Sequence, residues 1–158
     1  MLVTDVSVRC ATLDDVPALV VLMAAFYAES SYPLDNEWAS GAFRKLLSNP
    51  SLGCAWLASA GGNAIGHAVL TARYTMEHGA SSGYVDDLYV EPEYRRRGVG
   101  FALLEMLFRE CRVRELASVY VEAGQSNRPA LALYAKFGLA PVTDGRVLLT
   151  GPLRESGT

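Results

Sequence analysis

Residues Tyr84 to Cys111 read Y-V-D-D-L-Y-V-E-P-E-Y-R-R-R-G-V-G-F-A-L-L-E-M-L-F-R-E-C, and this stretch decides the fold. It begins as a strand. Val85, Leu88, Tyr89 and Val90 are strand formers, and Pro92 stops the ladder because it has no N–H to give. It ends as a helix from about Phe101, with Glu105, Arg109 and Arg112 as one polar stripe on an otherwise apolar cylinder. Between them lies Arg95-Arg96-Arg97-Gly98-Val99-Gly100. A glycine-bearing turn that opens directly into a helix leaves the first helical N–H groups unpaired. Those groups and the helix dipole favour an anion, most naturally a pyrophosphate.

Three kinds of phosphate loop compete for this pattern. The P-loop requires G-x-x-x-x-G-K-[ST], and no Lys-Ser or Lys-Thr follows Gly98 or Gly100. The dinucleotide fingerprint G-x-G-x-x-G requires Gly or Ala where Leu103 stands. The third kind fits. Arg95-x-x-Gly98-x-Gly100 resembles the R/Q-x-x-G-x-G/A signature of the GNAT superfamily of N-acetyltransferases. A second block, Asn127-Arg128-Pro129-Ala130-Leu131-Ala132-Leu133-Tyr134-Ala135-Lys136-Phe137-Gly138-Leu139, resembles the later motif N-x-x-A-x-x-L-Y-x-x-x-G-F of the same superfamily. Together the two cover roughly residues 84–140; the first half of the chain matches only in general pattern.

The resemblance implies an α/β (α+β) fold: a mixed, mostly antiparallel twisted sheet with helices on both faces. It implies two central strands that splay apart to admit the pantetheine arm of acetyl-coenzyme A. The cofactor site would be built from Leu88, Tyr89, Val90, Arg95, Arg96, Arg97, Gly98, Val99, Gly100, Phe101, Asn127, Ala130 and Tyr134. Tyr134 matches the family tyrosine that protonates the leaving thiolate; a phenol of pKa about 10 holds its proton at neutral pH and can give it. From its surroundings alone, Tyr134 reads equally as a core tyrosine in register with Ala130, Leu133 and Phe137. The superfamily usually carries a further glycine in the loop where Arg96 stands, so a Cβ must be tolerated there.

Asp86 and Asp87 are poor strand residues and need a reason to sit in a central strand. Strand alternation would point them to opposite faces. One would then hold or deprotonate a cationic amine, and the other would serve structure. The polyamine acetyltransferases of the superfamily carry an acidic pair here, E-D-x-x-V, and are the nearest subfamily resemblance. Glu122 and Glu29 are the next acidic candidates. His67 and His78 show neither metal spacing nor a nucleophile partner, and neither receives a role.

At 158 residues the chain, 1–158, reads as a single domain with a substantial core. No apolar run approaches the length of a membrane span. Met1-Leu2-Val3-Thr4-Asp5 lacks the pattern of a signal peptide. Cys10, Cys54 and Cys111 are odd in number and scattered, which suggests buried thiols in a reducing cytoplasm and neither disulfide nor metal. A net charge of −3 argues against general nucleic-acid binding.

The remaining elements follow from pattern. Val6, Val8 and Cys10 alternate as a first strand. Thr12-x-x-Asp15 reads as a capping box before a helix along Val16, Leu19, Val20, Met23 and Phe26. A second helix runs from about Asn36 to Ser48 with Trp38, Phe43, Leu46 and Leu47 inward, in the region that lines the acceptor pocket in the resembling family. Gly61-Gly62-Asn63 joins Gly53–Ala60 and Ile65–Arg73 as a hairpin. Tyr74 to Gly83 reads as a loop and Ser118 to Glu122 as a strand. Asn127 caps a short helix that Gly138 ends. Val142 and Arg146–Leu149 should close the sheet, and the polar tail from Gly151 should fray.

The reading that results is an enzyme that transfers an acetyl group from acetyl-coenzyme A to a primary amine of a small molecule, a diamine or polyamine among the candidates, by direct attack without a metal. Protein lysine or N-terminal acetylation, and a non-catalytic coenzyme A-binding module, are the alternatives. The partners implied are a small-molecule amine, no nucleic acid and no membrane, and the fold allows a homodimer.

Overall fold

The computed structural model describes residues 5–154. The N-terminal residues examined for a leader lie outside that range except for Asp5. A five-stranded sheet runs in the order β1 (Val6–Cys10), β2 (Gly53–Ala60), β3 (Asn63–Thr75), β4 (Ala80–Val90), β5 (Val119–Val121). All neighbours are antiparallel except β4 and β5, which are parallel. Helices α1 (Val16–Glu29) and α2 (Asn36–Leu47) cover one face, and α3 (Val99–Val113) and α4 (Arg128–Ala135) the other. The expected α/β arrangement with helices on both faces is therefore present.

Each face has its own core. Leu19, Leu22, Phe43, Ala55, Leu57 and Tyr89 pack under α1 and α2. Trp56, Ile65, Leu70, Val85, Leu103, Leu104 and Leu107 pack under α3. The alternation of β2 and β3, buried on both sides, supplies residues to both.

Local signals account for most of the boundaries. Asp15 accepts from the Thr12 backbone N–H at 2.7 Å, closing the capping box in front of α1. Arg9 grips the same carboxylate at 2.7 and 2.8 Å; this bond, more than any other cause, holds the Asp15 pKa down at about 2. Gly61 and Gly62 take φ of 56° and 80°, the positive values a two-residue hairpin turn demands.

Four expectations change. Trp38 is 59% exposed. At 3.6 residues per turn it stands about 140° around α2 from Phe43, off the face that Ala39, Phe43, Leu46 and Leu47 turn to the core. Residues 74–83 are mostly strand: β3 extends to Thr75 and β4 begins at Ala80, with the chain reversing at Gly79 (φ 59°). Cys10 is exposed, because it ends β1 at the sheet edge, whereas Cys111 is buried and Cys54 half-buried. Burial pushes the thiols of Cys54 and Cys111 up to about 12 and 11.

The fourth change is at the C-terminal end. Val142 and Arg146–Leu149 form no strand, and Val147, Leu148 and Leu149 are 78%, 74% and 85% exposed. The edge available to them is short, since β5 has three residues. Pro141 brings no N–H to a ladder. Asp144 closes a local loop instead, accepting from the Arg146 backbone N–H at 3.0 Å and its Nε at 2.6 Å. Residues 151–154 are exposed and irregular, and the rest of the tail lies outside the described residues.

Candidate functional site

The site begins where β4 and β5 part. They pair only from Gly83↔Val119 to Val85↔Val121. Beyond that point Leu88, Tyr89 and Val90 on one side, and Glu122 and Ala123 on the other, line a cavity of about 620 Å³. The splay read from the sequence is thus present, and it opens toward the loop before α3.

The loop is built as an anion cradle. Gly98 stands at the N-cap of α3 with φ 83°, and its side offers no capping group. The first helical bond runs from Ala102 N–H to Gly98 O at 3.0 Å, so the amides of Val99, Gly100 and Phe101 have no acceptor inside the helix. At Gly100 a Cβ would lie 3.1 Å from Leu133 Cδ2, which sets the closeness of α3 and α4 there. Arg96 occupies the left-handed region at φ 61°, where a glycine would sit without strain.

The three arginines differ. Arg95 is turned to the protein: its Nε donates to Val90 O at 2.8 Å, its other end pairs with Glu29, and it lies 5.5 Å over the Tyr89 ring. It ties the end of β4 to α1. Arg95 and Arg96 both line the cavity; Arg97 does not. The Val99 side chain is buried in the core under α3 and does not line the cavity, so Val99 can meet the cofactor only through its backbone N–H. Of the other expected contacts, Leu88, Tyr89, Val90, Gly98, Gly100, Phe101, Asn127, Ala130 and Tyr134 all line this cavity, with Glu29 and Glu122.

Tyr134 is 8% exposed and borders the cavity from α4. The helix is placed by Asn127, whose side chain accepts from Ala130 N–H at 3.3 Å. Burial alone raises the Tyr134 pKa to about 12, so the hydroxyl keeps its proton throughout the neutral range. Glu122 accepts from the Tyr84 hydroxyl, and burial followed by this bond raises Tyr84 to about 12 as well.

The acidic pair departs from its expected geometry. Val69 pairs with Asp87, but Leu70 pairs with Val85, so Asp86 is an extra residue opposite no partner. This β-bulge cancels the alternation across it. Asp86 and Asp87 consequently share the α1/α2 face and line a second cavity together. Their environments differ. Asp87 is 7% exposed and meets His67 Nε2 at 3.3 Å. Asp86 is solvent-accessible, accepts from the Thr71 hydroxyl, and lines both cavities. Partial burial, then the charges of Asp87 and Glu122, raises its pKa, against the Thr71 bond that lowers it.

His67 is the functional neighbour that sequence reasoning missed. It is wholly buried between Phe43 and Tyr89, each ring centroid 6.3 Å away, and its Nδ1 has no partner. In the β3–β4 register His67 faces Tyr89, two residues beyond Asp87 on the same face. The signal was a histidine among apolar strand residues, but only the register identifies its partner. His78 meets the Tyr120 hydroxyl at 3.3 Å, away from both cavities. No group of three His, Cys, Asp or Glu among the described residues could hold a metal ion, and no helix among them is long and apolar enough to cross a membrane.

Comparison with known proteins agrees with this architecture. The model of the acetyltransferase (GNAT) family matches residues 19–139. The ribosomal protein bS18-alanine N-acetyltransferase of Escherichia coli is 39% identical over 69 residues, 38% of this chain and 47% of that protein. An N-alpha-acetyltransferase of Sulfurisphaera tokodaii is 39% identical over 61 residues, 38% of this chain and 36% of that protein. The chain thus spans about half the length, or less, of the curated relatives it matches. An integron cassette protein from the mobile metagenome of Cole Harbour Salt Marsh superimposes with a TM-score of 0.82 at 36% identity, covering 93% of this chain and 90% of that one. A predicted acetyltransferase from Clostridium acetobutylicum, solved with acetyl-coenzyme A, shares the fold with a TM-score of 0.77 at 24% identity, over 92% of this chain and 96% of its own. These curated relatives are named as a ribosomal-protein-alanine N-acetyltransferase and an N-alpha-acetyltransferase, names that do not bear out the polyamine subfamily specifically.

Proposed function

The chain belongs to the acetyltransferase (GNAT) family, and from that premise we propose that it is an acetyl-coenzyme A-dependent N-acetyltransferase acting on a primary amine of a small molecule. The observation that carries the reading is that Asp86 and Tyr134, an acid-base pair, border one cavity that also contains the unpaired amides of α3. The cradle fits a pyrophosphate: open amides at a helix N-terminus, with Gly98 and Gly100 lining the cavity and bringing no side chain into it.

Acetyl-coenzyme A, when bound, supplies a thioester carbonyl as electrophile. The chain's residues do the rest. Amides of Val99, Gly100 and Phe101, helped by Arg96, hold the phosphates. Leu88, Tyr89 and Val90 line the slot between β4 and β5, and a backbone N–H of this segment polarises the carbonyl oxygen. A primary amine of pKa about 10 arrives protonated and must lose a proton before it can attack. Asp86 takes that proton, directly or through water; its raised pKa makes it a stronger base than an ordinary carboxylate. The amine nitrogen then forms the C–N bond as the C–S bond breaks; the Tyr134 hydroxyl gives its proton to the departing sulfur, and the second proton of the new amide nitrogen leaves, through water, to restore the Tyr134 phenol. Asp87 acts through position: it meets His67 at 3.3 Å and stands beside Asp86 on the same face.

Asp86 suits the base better than Asp87 because it alone of the two borders both cavities. A diamine or polyamine is one acceptor that an acidic pair favours. The curated relatives favour a second reading, acetylation of the N-terminal residue of a protein. A location in the cytoplasm accords with three free thiols. The test is release of free thiol from acetyl-coenzyme A against polyamines, amino acids, aminoglycosides and peptides. Turnover of a small-molecule amine supports the reading, and turnover of peptides alone favours the second. Failure of the whole panel overturns both.

A further inference from the structure

The second cavity, of about 410 Å³, lies on the α1/α2 side of the sheet and meets the first at Asp86. Its walls are apolar: Met23 from α1, Phe43 and Leu46 from α2, then Leu52 and Val69. Thr71, Asp86 and Asp87 gather with Tyr27 in a polar cluster. Lys45 is the one cation among the described lining residues.

Resting on the function proposed above, we propose that this cavity holds the acceptor, and that the acceptor is a monoamine: a single primary amine on an apolar body. Access limits it to one cation. Asp87 is buried, with one oxygen 3.3 Å from His67, which leaves the exposed Asp86 as the carboxylate an ammonium group can reach. A second ammonium further out would meet Met23, Phe43, Leu46 and Leu52, none of which can replace the water it loses. It would also be repelled by Lys45. An alkyl or arylalkyl body faces none of these costs and is driven in by burial against those same walls. The cavity therefore selects against the polycations that an acidic pair, read alone, suggests.

The experiment compares two series by thiol release: n-alkylamines from propyl to hexyl, and α,ω-diamines of the same lengths with spermidine. Burial of each added methylene should raise kcat/KM for the alkylamines up to about fourfold until the cavity fills. Each diamine should fall at least tenfold below the alkylamine of equal length. Lys45 is exposed on α2, so Lys45→Glu should leave the fold intact, and it should narrow the gap between the two series by raising the diamines. Diamines or spermidine matching or exceeding the alkylamines, or a flat dependence on chain length, overturns the acceptor class and leaves the acetyltransferase reading standing. So does turnover confined to peptides or aminoglycosides. No turnover of any amine by a protein that binds acetyl-coenzyme A overturns both.

Discussion

At the scale of the residue, the proton balance rests on two side chains whose pKa values are displaced for the same reason. Burial disfavours the charged form of each, so Tyr134 holds its proton more firmly and Asp86 takes one more readily. Tyr134→Phe keeps the ring and deletes the donor. It should lower kcat about 100-fold in single-turnover measurements, with calorimetric affinity for acetyl-coenzyme A unchanged. Asp86→Asn should cost about 10- to 150-fold in kcat/KM for a cationic amine and leave the KM for acetyl-coenzyme A alone. The pH profile gives the sign. Asp86 works as the carboxylate, so activity is gained as pH rises through its raised pKa and lost below it. The acidic limb of the wild-type profile should therefore be displaced upward from that of a free aspartate and vanish in the Asn variant. A limb that persists in Asp86→Asn transfers the role to another acid, Glu122 first. Legibility at this scale was partial. Residue types announced the tyrosine and the acidic pair, but the partner of Asp87 depends on strand register, which no local pattern encodes.

At the scale of the element, the N-terminus of α3 carries the binding argument. Gly100→Asp places a negative charge where the phosphates would lie and a Cβ 3.1 Å from Leu133 Cδ2, the movable end of a side chain. The variant should fold, by circular dichroism, and lose acetyl-coenzyme A binding by calorimetry; wild-type affinity in the folded variant sinks the cradle. Elements with a strong local code were readable in advance: the capping box of α1, the Gly61-Gly62 turn, the Asn127 cap and the glycine loop all depend on residues within a few positions of one another. Others were not. Trp38 was assigned inward for its hydrophobicity, though helical phase puts it outside. Val142 and Arg146–Leu149 have strand composition, yet a strand also needs an edge to join, and that depends on how long β5 is.

At the scale of the molecule, one sheet separates two cores that share few side chains. Leu104 lies in the one under α3 and Leu19 in the one under α1 and α2, both fully buried. Leu104→Ala and Leu19→Ala should each destabilise by about 2–5 kcal/mol in urea melts. Their effects should add within about 0.5 kcal/mol, because the sites do not touch. A coupling well beyond that would mean that the sheet transmits strain between its faces. The division also suits the work proposed for the chain, since the cofactor cleft belongs mainly to one core and the acceptor cavity to the other, with β4 as the wall between them.

The irregular step in that wall has a further consequence. Asp86 is a supernumerary residue: if it were excised, Val85 and Asp87 would become consecutive and would pair with Leu70 and Val69 on the faces they already occupy. The ladder would close without a gap. The sheet thus gains nothing in pairing from this position. A chain lacking Asp86 should melt no lower than the parent, yet lose at least as much kcat/KM for a cationic amine as Asp86→Asn does. If the shortened chain unfolds, the extra residue serves the architecture; if it stays folded and shows that loss, the strand carries one letter more than its geometry requires, and that letter is written for the substrate.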